Sequence, residues 1–172
     1  MRAVRCRNHK ACLTHVPEPA GEGVRVRVAA AGICGADLHM IAMGCPNPFT
    51  LGHEISGITD NGTPVAIEPI AARGPCPCCA RGEDKLCVLG AKAIIGVGQD
   101  GGMAEELLVP ERCLVPLPSG LAVKDACLVE PLAVAVHGIA MAHPGHRDRV
   151  AIVGGGTIGL CAVTMARIAT PE

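Results

Sequence analysis

A cysteine and a histidine that could bind a metal ion lie 19 residues apart, at Cys34 and His53. A thiolate sulfur and an imidazole nitrogen are two ligand types that Zn²⁺ prefers. Carboxylates stand close to both, since Asp37 follows the cysteine and Glu54 follows the histidine. Ligands this far apart in the chain meet only through tertiary structure. The spacing therefore predicts a metal site that is built by the fold and has room for an open coordination position.

A second group of thiols lies in the stretch 69–89, which is rich in Pro, Gly, Cys and charge and shows no periodicity. Such a stretch needs a staple to become ordered, and a metal bound by clustered thiols could supply it. An alternative is a redox sensor formed by the adjacent Cys78 and Cys79, which requires a lowered thiol pKa. The candidate metal ligands of this stretch are Cys76, Cys78, Cys79 and Cys87.

A glycine-rich turn near the end of the sequence follows the G-x-G-x-x-G pattern. The buried-strand pattern 148–153 leads into Gly154, Gly156 and Gly159, and a helical pattern follows over 161–169. A strand, a glycine turn and a helix in this order favour dinucleotide binding, because the turn lets the backbone approach a pyrophosphate at the helix N-terminus. The sequence ends thirteen residues after the last of these glycines. We therefore expect only the opening of a nucleotide-binding domain.

The elements that must position these residues are mostly strands. The run 24–28 alternates Val with Arg, as a half-buried strand does, and it leads directly to Cys34. The pair Asn61-Gly62 predicts a tight hairpin. A helical pattern extends over 123–142, with a break expected at Pro131. The predicted strands are 3–6, 24–28, 53–59, 63–68, 103–109 and 113–115.

Composition limits the partners of the chain. The formal net charge is −1 and no Lys/Arg block is present, so nucleic acid and anionic membrane surfaces are not expected partners. The N-terminus lacks the apolar run of a signal peptide, and Gly, Pro and His interrupt the apolar stretch 128–142. We therefore expect a soluble, cytoplasmic protein with no membrane association, in which the eleven cysteines form no disulfide framework. Six of them should be small buried hydrophobes: Cys6, Cys12, Cys45, Cys113, Cys127 and Cys161.

Four sequence motifs resemble those of the zinc-dependent medium-chain alcohol dehydrogenases, and within them the polyol, sorbitol and threonine dehydrogenase branch. The resemblance covers nearly the whole chain and keeps the order and spacing of the motifs. The motifs are GICGADLH at 32–39, GHEISG at 52–57, DGGMAE at 100–105 and EPLAVAVH at 130–137.

The resemblance implies a domain organisation. A mainly β, GroES-like barrel catalytic domain would occupy 1–122, a connecting helical segment 123–147, and the first β-α unit of a truncated Rossmann α/β domain 148–172. Because chains of this family return to complete the catalytic domain, the resemblance also implies a fragment, a truncated gene product or a second polypeptide that completes the fold.

The resemblance assigns the catalytic zinc ligands. It implies that Cys34 and His53 bind the zinc, that Glu54 approaches it, and that Glu130 places a carboxylate at or near it. Two alternatives stay open. The carboxylate of Glu54 could instead pair with a nearby cation, and Glu130 could serve as a favourable charge at a helix N-terminus.

The resemblance also assigns residues around the metal. Asp37 would accept a proton from an imidazole and so orient a ligand, although a surface carboxylate is the alternative. His39 would stand at the distal end of a proton relay, with an ordinary solvent-facing histidine as the alternative. Ala36 occupies the position where most relatives carry the Ser or Thr of that relay. Because Ala36 has no hydroxyl, either a water substitutes, or Glu54 or His39 accepts the proton through solvent, or turnover is impaired.

The cysteine-rich stretch departs from the structural zinc lobe of the family. That lobe requires cysteines at 73, 76, 79 and 87, whereas position 73 is Arg73, which cannot bind zinc. Cys78 is an additional thiol, so four sulfurs are present with altered spacing. The resemblance leaves it open whether a structural zinc binds here.

The function implied is the reversible oxidation of an alcohol or polyol hydroxyl to a carbonyl, with hydride transfer to NAD⁺ or NADP⁺. Zn²⁺ would act as a Lewis acid, and the nicotinamide would carry the redox step. Expected partners are a small-molecule alcohol or polyol and either a second copy of the chain or a completing polypeptide. The alternative is a zinc-binding or partner-binding module without catalysis.

Overall fold

The computed structural model describes residues 1–45, 49–72 and 76–170. It divides the chain into two compact units, Met1–Cys127 and Leu128–Glu172. The domain boundaries expected from the sequence, after residues 122 and 147, stay predictions. Seven β-strands and four α-helices are present in the described part of the chain.

The strands of the first unit are β1 (Arg2–Arg7), β2 (Lys10–His15), β3 (Val24–Ala31), β4 (Ile55–Thr59), β5 (Pro64–Ile67), β6 (Glu106–Val109) and β7 (Leu114–Pro116). Five of them form an antiparallel sheet with the order β6-β3-β4-β5-β7. A separate hairpin pairs β1 with β2. The turn that joins β4 to β5 closes as the Asn-Gly pair predicts, with Gly62 at φ +85°.

The core of this unit lies against the five-stranded sheet and is entirely aliphatic apart from one cysteine. Val26, Ile55, Val65 and Val109 are each at most 1% exposed. Branched side chains suit this position because they pack well on a pleated surface. The sheet therefore gives the segments that flank β3 and β4 a rigid support.

Three elements of the first unit were not expected from the sequence. Strand β2 pairs with β1 through a turn in which Asn8 and His9 have φ of +49° and +59°, and histidine is not a usual signal for such a turn. Helix α1 (Gly35–Ala42) is only eight residues long and begins with a glycine, so its propensity signal is weak. A four-residue helix, α2 (Pro77–Ala80), is the third element missed.

The second unit consists of two helices that pack against each other, α3 (Val129–Ala142) and α4 (Thr157–Ala169). The helical stretch 123–142 is divided into a short and a longer segment as expected, but the longer one, α3, begins at Val129, so that Pro131 lies inside its first turn. Backbone N–H groups of a first turn have no intrahelical partner, so a proline costs little there. A 3₁₀ turn over Val123–Leu128 precedes α3.

The segment 148–153 forms no strand pairing among the described residues, although its sequence predicts a buried strand. A strand of a parallel sheet needs neighbouring strands to bond with, and none is present in the described part of the second unit. The helix expected after the glycine turn is α4, which begins four residues earlier than the pattern suggested.

The burial of the six cysteines expected in the core is mixed. Cys6 and Cys113 are buried, as predicted. Cys12, Cys45 and Cys161 are only half-buried, as is Cys127. Burial, with a hydrogen bond to Cys6, raises the pKa of Cys45 to about 11, which keeps that thiol protonated.

One helical stretch, Val123–Ala142, is long and apolar enough to cross a membrane, with a mean hydropathy of 1.4. The sequence led us to expect no stretch long and apolar enough to span a membrane. By length and composition this helix does not meet that expectation. A single helix of this kind does not establish a membrane span, because core helices of soluble proteins pass the same test.

Candidate metal centre

Cys34 stands immediately before helix α1, three residues beyond the end of β3. The carboxylate of Asp37 accepts a hydrogen bond from the backbone N–H of Cys34, with 2.9 Å between Oδ2 and the nitrogen. This is the reciprocal bond of a capping box, which satisfies a backbone donor that the helix leaves free. The position of the thiol is therefore fixed at the junction of a sheet strand and a short helix.

His53 and Glu54 stand immediately before β4, which is the strand that pairs with β3. Gly52 precedes them with φ at +94°, a conformation that favours glycine, and a Cβ at this position would lie 2.7 Å from Cγ of Met103. The backbone N–H of Gly52 points to the other oxygen of Asp37, with 3.4 Å between the nitrogen and Oδ1. One carboxylate, 1% exposed, thus holds the backbone of both ligand segments.

Glu54 is held close to the end of β3. Its backbone carbonyl accepts a hydrogen bond from the N–H of Gly32 at 2.8 Å. A Cβ on Gly32 would collide with the Glu54 carboxylate, so the absence of a side chain there leaves the space that the carboxylate occupies. The residue is 4% exposed.

These elements bring three potential ligands together. Cys34, His53 and Glu54 each offer one ligand atom, and the three atoms lie within 4.8 Å of one another. Within the described residues, Nδ1 of the buried His53 has no hydrogen-bond partner, which costs stability unless something else satisfies it. Thiolate, imidazole and carboxylate are all zinc ligands, so the three residues fit a zinc ion with a further coordination position open.

The role expected for Asp37 needs correction. Its Oδ1 lies 3.7 Å from Nδ1 of His53, which is too long for a hydrogen bond. The carboxylate instead accepts the two backbone N–H groups described above. Asp37 is buried, so the alternative of a surface carboxylate is also wrong. It holds the ligand segments through their backbone, and its Oδ1 faces the imidazole at ion-pair distance without a hydrogen bond.

Three further residues named in the sequence analysis lie on helices α1 and α3. His39 and Ala36 are on the exposed part of α1. Glu130 belongs to the second unit, in the first turn of α3. Its role as a zinc ligand stays a prediction.

The cysteine-rich stretch forms a second cluster. Cys76, Cys79 and Cys87 each offer a sulfur, and the three sulfurs lie within 4.8 Å of one another. Cys76 caps α2 and its sulfur accepts the backbone N–H of Cys79 at 3.4 Å. The sulfurs of Cys76 and Cys79 are 3.2 Å apart. Cys78 is not part of this group, and its sulfur accepts a contact from the Arg81 guanidinium at 3.8 Å.

The two close thiols have opposite acidities. Hydrogen bonds donated by backbone N–H groups, above all that of Cys79, lower the pKa of Cys76 to about 6. The hydrogen bond that the thiol of Cys79 makes with Cys76 raises the pKa of Cys79 to about 12. A proton shared between the two sulfurs contributes to both pKa shifts, because it stabilises the thiolate of Cys76 at the expense of that of Cys79.

A structural zinc at the second cluster stays a prediction, and Cys76, Cys79 and Cys87 are the described residues that could hold it. A structural zinc site has four ligands, and the described residues of the cluster supply three thiols. Arg73, which stands at the fourth position of the family pattern, lies outside the described residues.

The glycine turn lies at the start of α4 in the second unit. Gly154 has φ at +111°, Gly156 caps α4, and a Cβ on Gly159 would collide with the carbonyl oxygen of Gly154. A Cβ on Gly154, Gly155 or Gly156 would meet nothing within 4 Å, so the backbone of the turn is open. An open glycine turn at a helix N-terminus fits a pyrophosphate group.

Comparisons with known proteins identify relatives of the chain. Residues 20–119, more than half of the chain, match the model of the alcohol dehydrogenase GroES-like domain family. The L-galactonate-5-dehydrogenase of Escherichia coli K12 is 36% identical over 167 residues, which cover 88% of this chain and 48% of the relative. The chain thus spans about half the length of the curated relatives it matches.

Solved structures agree with this assignment. The galactitol-1-phosphate dehydrogenase of Escherichia coli superposes with a TM-score of 0.87 at 31% identity, covering 99% of this chain and 53% of the other. A dehydrogenase of Sinorhizobium meliloti 1021 that is designated zinc-binding, solved bound to NADP, superposes with a TM-score of 0.87 at 35% identity. That superposition covers 98% of this chain and 53% of the other.

Proposed function

Because the chain belongs to the alcohol dehydrogenase GroES-like domain family, we propose that it forms the zinc-binding part of an oxidoreductase. The reaction proposed is the oxidation of an alcohol or polyol hydroxyl to a carbonyl, with hydride transfer to NAD⁺ or NADP⁺. The observation that carries this proposal is the convergence of Cys34, His53 and Glu54, whose ligand atoms lie within 4.8 Å of one another. The names of the relatives, which are polyol and sugar-acid dehydrogenases, support the substrate class.

In this proposal Cys34, His53 and Glu54 hold the zinc ion, and Glu130 remains a further candidate ligand. When bound, zinc supplies a Lewis acid that lowers the pKa of a hydroxyl, and NAD(P)⁺ supplies the hydride acceptor. Asp37 maintains the spacing between the two ligand segments through its hydrogen bonds to Cys34 and the Gly52 backbone. Burial of the imidazole and the carboxylate limits competition from water.

The route for the substrate proton differs from that of most relatives. Ala36 has no hydroxyl to pass the proton outward, and His39 is exposed on α1. We expect a water molecule, or Glu54, to connect the substrate hydroxyl to solvent. His39 then accepts the proton at the surface.

The cofactor would bind through the second unit. Gly154, Gly156 and Gly159 would receive the pyrophosphate at the N-terminus of α4, where backbone N–H groups and the helix dipole favour negative charge. A cytoplasmic location, a homo-oligomer and a completing polypeptide stay predictions.

Zinc stoichiometry tests the metal part of the proposal. We expect Cys34→Ser and His53→Ala each to lose one equivalent of zinc per chain, and to lose the thiolate-to-metal absorption when Co²⁺ replaces zinc. Cys12→Ser and His15→Ala are matched controls, because both residues lie in β2 and neither belongs to the cluster. Unchanged zinc content in both site variants would contradict the assignment.

Titration of the zinc-loaded chain with NADH tests the redox part. We expect a saturable increase of nicotinamide fluorescence that is lost in Gly156→Asp, which places a negative charge where the pyrophosphate would lie. If zinc binds as expected but neither NADH nor NADPH gives saturable binding, the chain is instead a zinc-binding module without catalysis.

A further inference from the structure

The geometry points to a second chemistry in the cysteine-rich stretch: Cys76 and Cys79 form a dithiol that exchanges reversibly with low-molecular-weight disulfides. The proposal is independent of the metal centre and of the dehydrogenase reaction. It assigns a role to two of the three thiols of Cys76, Cys79 and Cys87, whose sulfurs lie within 4.8 Å of one another.

The two sulfurs are already close to bonding distance. They are 3.2 Å apart, and a disulfide bond measures about 2.05 Å, so the bond needs a sulfur displacement of only about 1 Å. Cys76 caps α2 and Cys79 lies within it, so their spacing is that of a Cys-x-x-Cys motif at the start of a helix. Small side-chain rotations therefore suffice to close the bond.

The surroundings select this pair over the other thiols of the cluster. The sulfurs of Cys76 and Cys79 are hydrogen-bonded to each other, and both residues are half-buried, so a small reagent can reach them. Cys87 is buried, which hinders its attack on a reagent from solvent. The sulfur of Cys78 is directed to the Arg81 guanidinium. The reactive pair is thus Cys76 and Cys79, not the adjacent Cys78 and Cys79 suggested by the sequence.

The proposed reaction is thiol–disulfide exchange in two steps. The Cys76 thiolate, which accepts the backbone N–H of Cys79, attacks one sulfur of a disulfide RSSR and releases RS⁻. The thiolate of Cys79 then attacks the sulfur of Cys76 in the mixed disulfide and releases a second RS⁻. Two electrons pass from the protein to the reagent, the S–S bond of the reagent breaks, and one S–S bond forms in the protein. The two protons of the protein thiols leave with the two RS⁻ groups as RSH.

Differential alkylation of the full chain tests this assignment. The reduced chain, kept in a chelator so that metal does not mask the thiols, is treated with glutathione disulfide and then with one alkylating reagent. The chain is next reduced and treated with a second reagent of different mass. Trypsin cleavage after Arg73 and Arg81 releases one peptide with three cysteines. We expect the first label on Cys78 and the second label on Cys76 and Cys79.

Three variants complete the test. Cys78→Ser is the matched control and should still lose two thiols on treatment with glutathione disulfide, whereas Cys76→Ser and Cys79→Ser should form no intramolecular disulfide within this peptide. Because the labelling pattern is read on the unmodified chain, the result does not depend on how the variants fold. The second label on Cys78 or on Cys87, or no loss of thiols, would each overturn the proposal.

Discussion

The two cysteine-containing clusters of the first unit differ in how the fold builds them. Cys34 and His53 are brought together by neighbouring strands of the five-stranded sheet, and the imidazole is 7% exposed. Cys76, Cys79 and Cys87 lie within one short stretch, on a four-residue helix and the turn that follows it. The first cluster depends on contacts between residues that are distant in the sequence, whereas the second depends mainly on local chain geometry.

This difference explains which chemistry each cluster suits. A buried cluster on a sheet is held in position before any ligand binds, so an ion meets a prearranged set of donors. A local cluster with half-buried thiols can move by the small distance that a disulfide requires, and its sulfurs remain accessible. The contrast predicts that substitutions that disturb the sheet should weaken metal binding at Cys34 and His53 much more than they hinder disulfide formation between Cys76 and Cys79.

The largest effect on the free energy of unfolding should come from truncating a core side chain next to the metal centre. Ile55 follows Glu54, is 1% exposed, and packs in the core of the sheet. We expect Ile55→Ala to lower the free energy of unfolding by about 2–5 kcal/mol, because the lost side chain leaves a cavity. Chemical denaturation followed by circular dichroism measures this value.

Ile33→Ala is the matched control for this change, because the same side chain is 69% exposed there. It should alter the free energy of unfolding by no more than about 0.5 kcal/mol. Under conditions where Ile55→Ala remains folded, its Cys76–Cys79 disulfide should form as in the unmodified chain. A similar loss of stability in both variants would argue against a core that supports the metal centre.

A smaller effect should follow from adding a methyl group beside the metal centre. Gly32→Ala places a Cβ against the carboxylate of Glu54 and forces that ligand to move. We expect a destabilisation of about 1–3 kcal/mol and a weaker affinity for zinc, measured by competition with a chromogenic chelator. At Gly35 a Cβ would meet nothing within 4 Å, so Gly35→Ala should leave zinc affinity unchanged. Equal zinc affinity in both variants would contradict the placement of Glu54.

The smallest effect on stability should come from the carboxylate that joins the two ligand segments. Asp37→Asn keeps the shape of the side chain but points an amide N–H at one of the two backbone donors. We expect a loss of about 0.5–2 kcal/mol in the free energy of unfolding and a roughly 10- to 100-fold loss of zinc affinity.

The control for this prediction is Asp60→Asn, in the exposed turn after β4. It should change neither the free energy of unfolding nor the zinc affinity measurably. If Asp37→Asn lowers stability without lowering zinc affinity, Asp37 serves only to cap α1 and does not position the metal ligands.

The sequence predicted much of the fold. The resemblance to zinc-dependent medium-chain alcohol dehydrogenases, and the GroES-like fold that it implies, are confirmed by the family match and by the solved structures. The strands that carry strict alternation, such as β3, were found because side chains of period two are a strong local signal. Helix α1 was missed because eight residues that begin with glycine give almost no periodic or propensity signal.

Two details needed the three-dimensional structure because they depend on distances between separate segments. Asp37 was expected to accept a hydrogen bond from the imidazole, yet its oxygens accept backbone N–H groups from both sides of the site. The family pattern gave Cys76, Cys79 and Cys87 as ligand positions and Cys78 as an additional thiol, and among the described residues the converging sulfurs are those of Cys76, Cys79 and Cys87. Neither result follows from spacing alone, since a shift of one residue changes the direction in which a side chain points.

The sequence alone determined which chemical groups this protein possesses: the soft and nitrogen donors of Cys34 and His53, the cluster of thiols, and the glycines of the turn before α4. Residue type fixes donor chemistry, and local pattern fixes whether a segment becomes a strand or a turn. The tertiary structure decided which groups meet. It placed Glu54 beside Cys34 and buried Asp37 between the two ligand segments. These outcomes depend on packing and on backbone hydrogen bonds between distant segments, which no single stretch of the sequence contains.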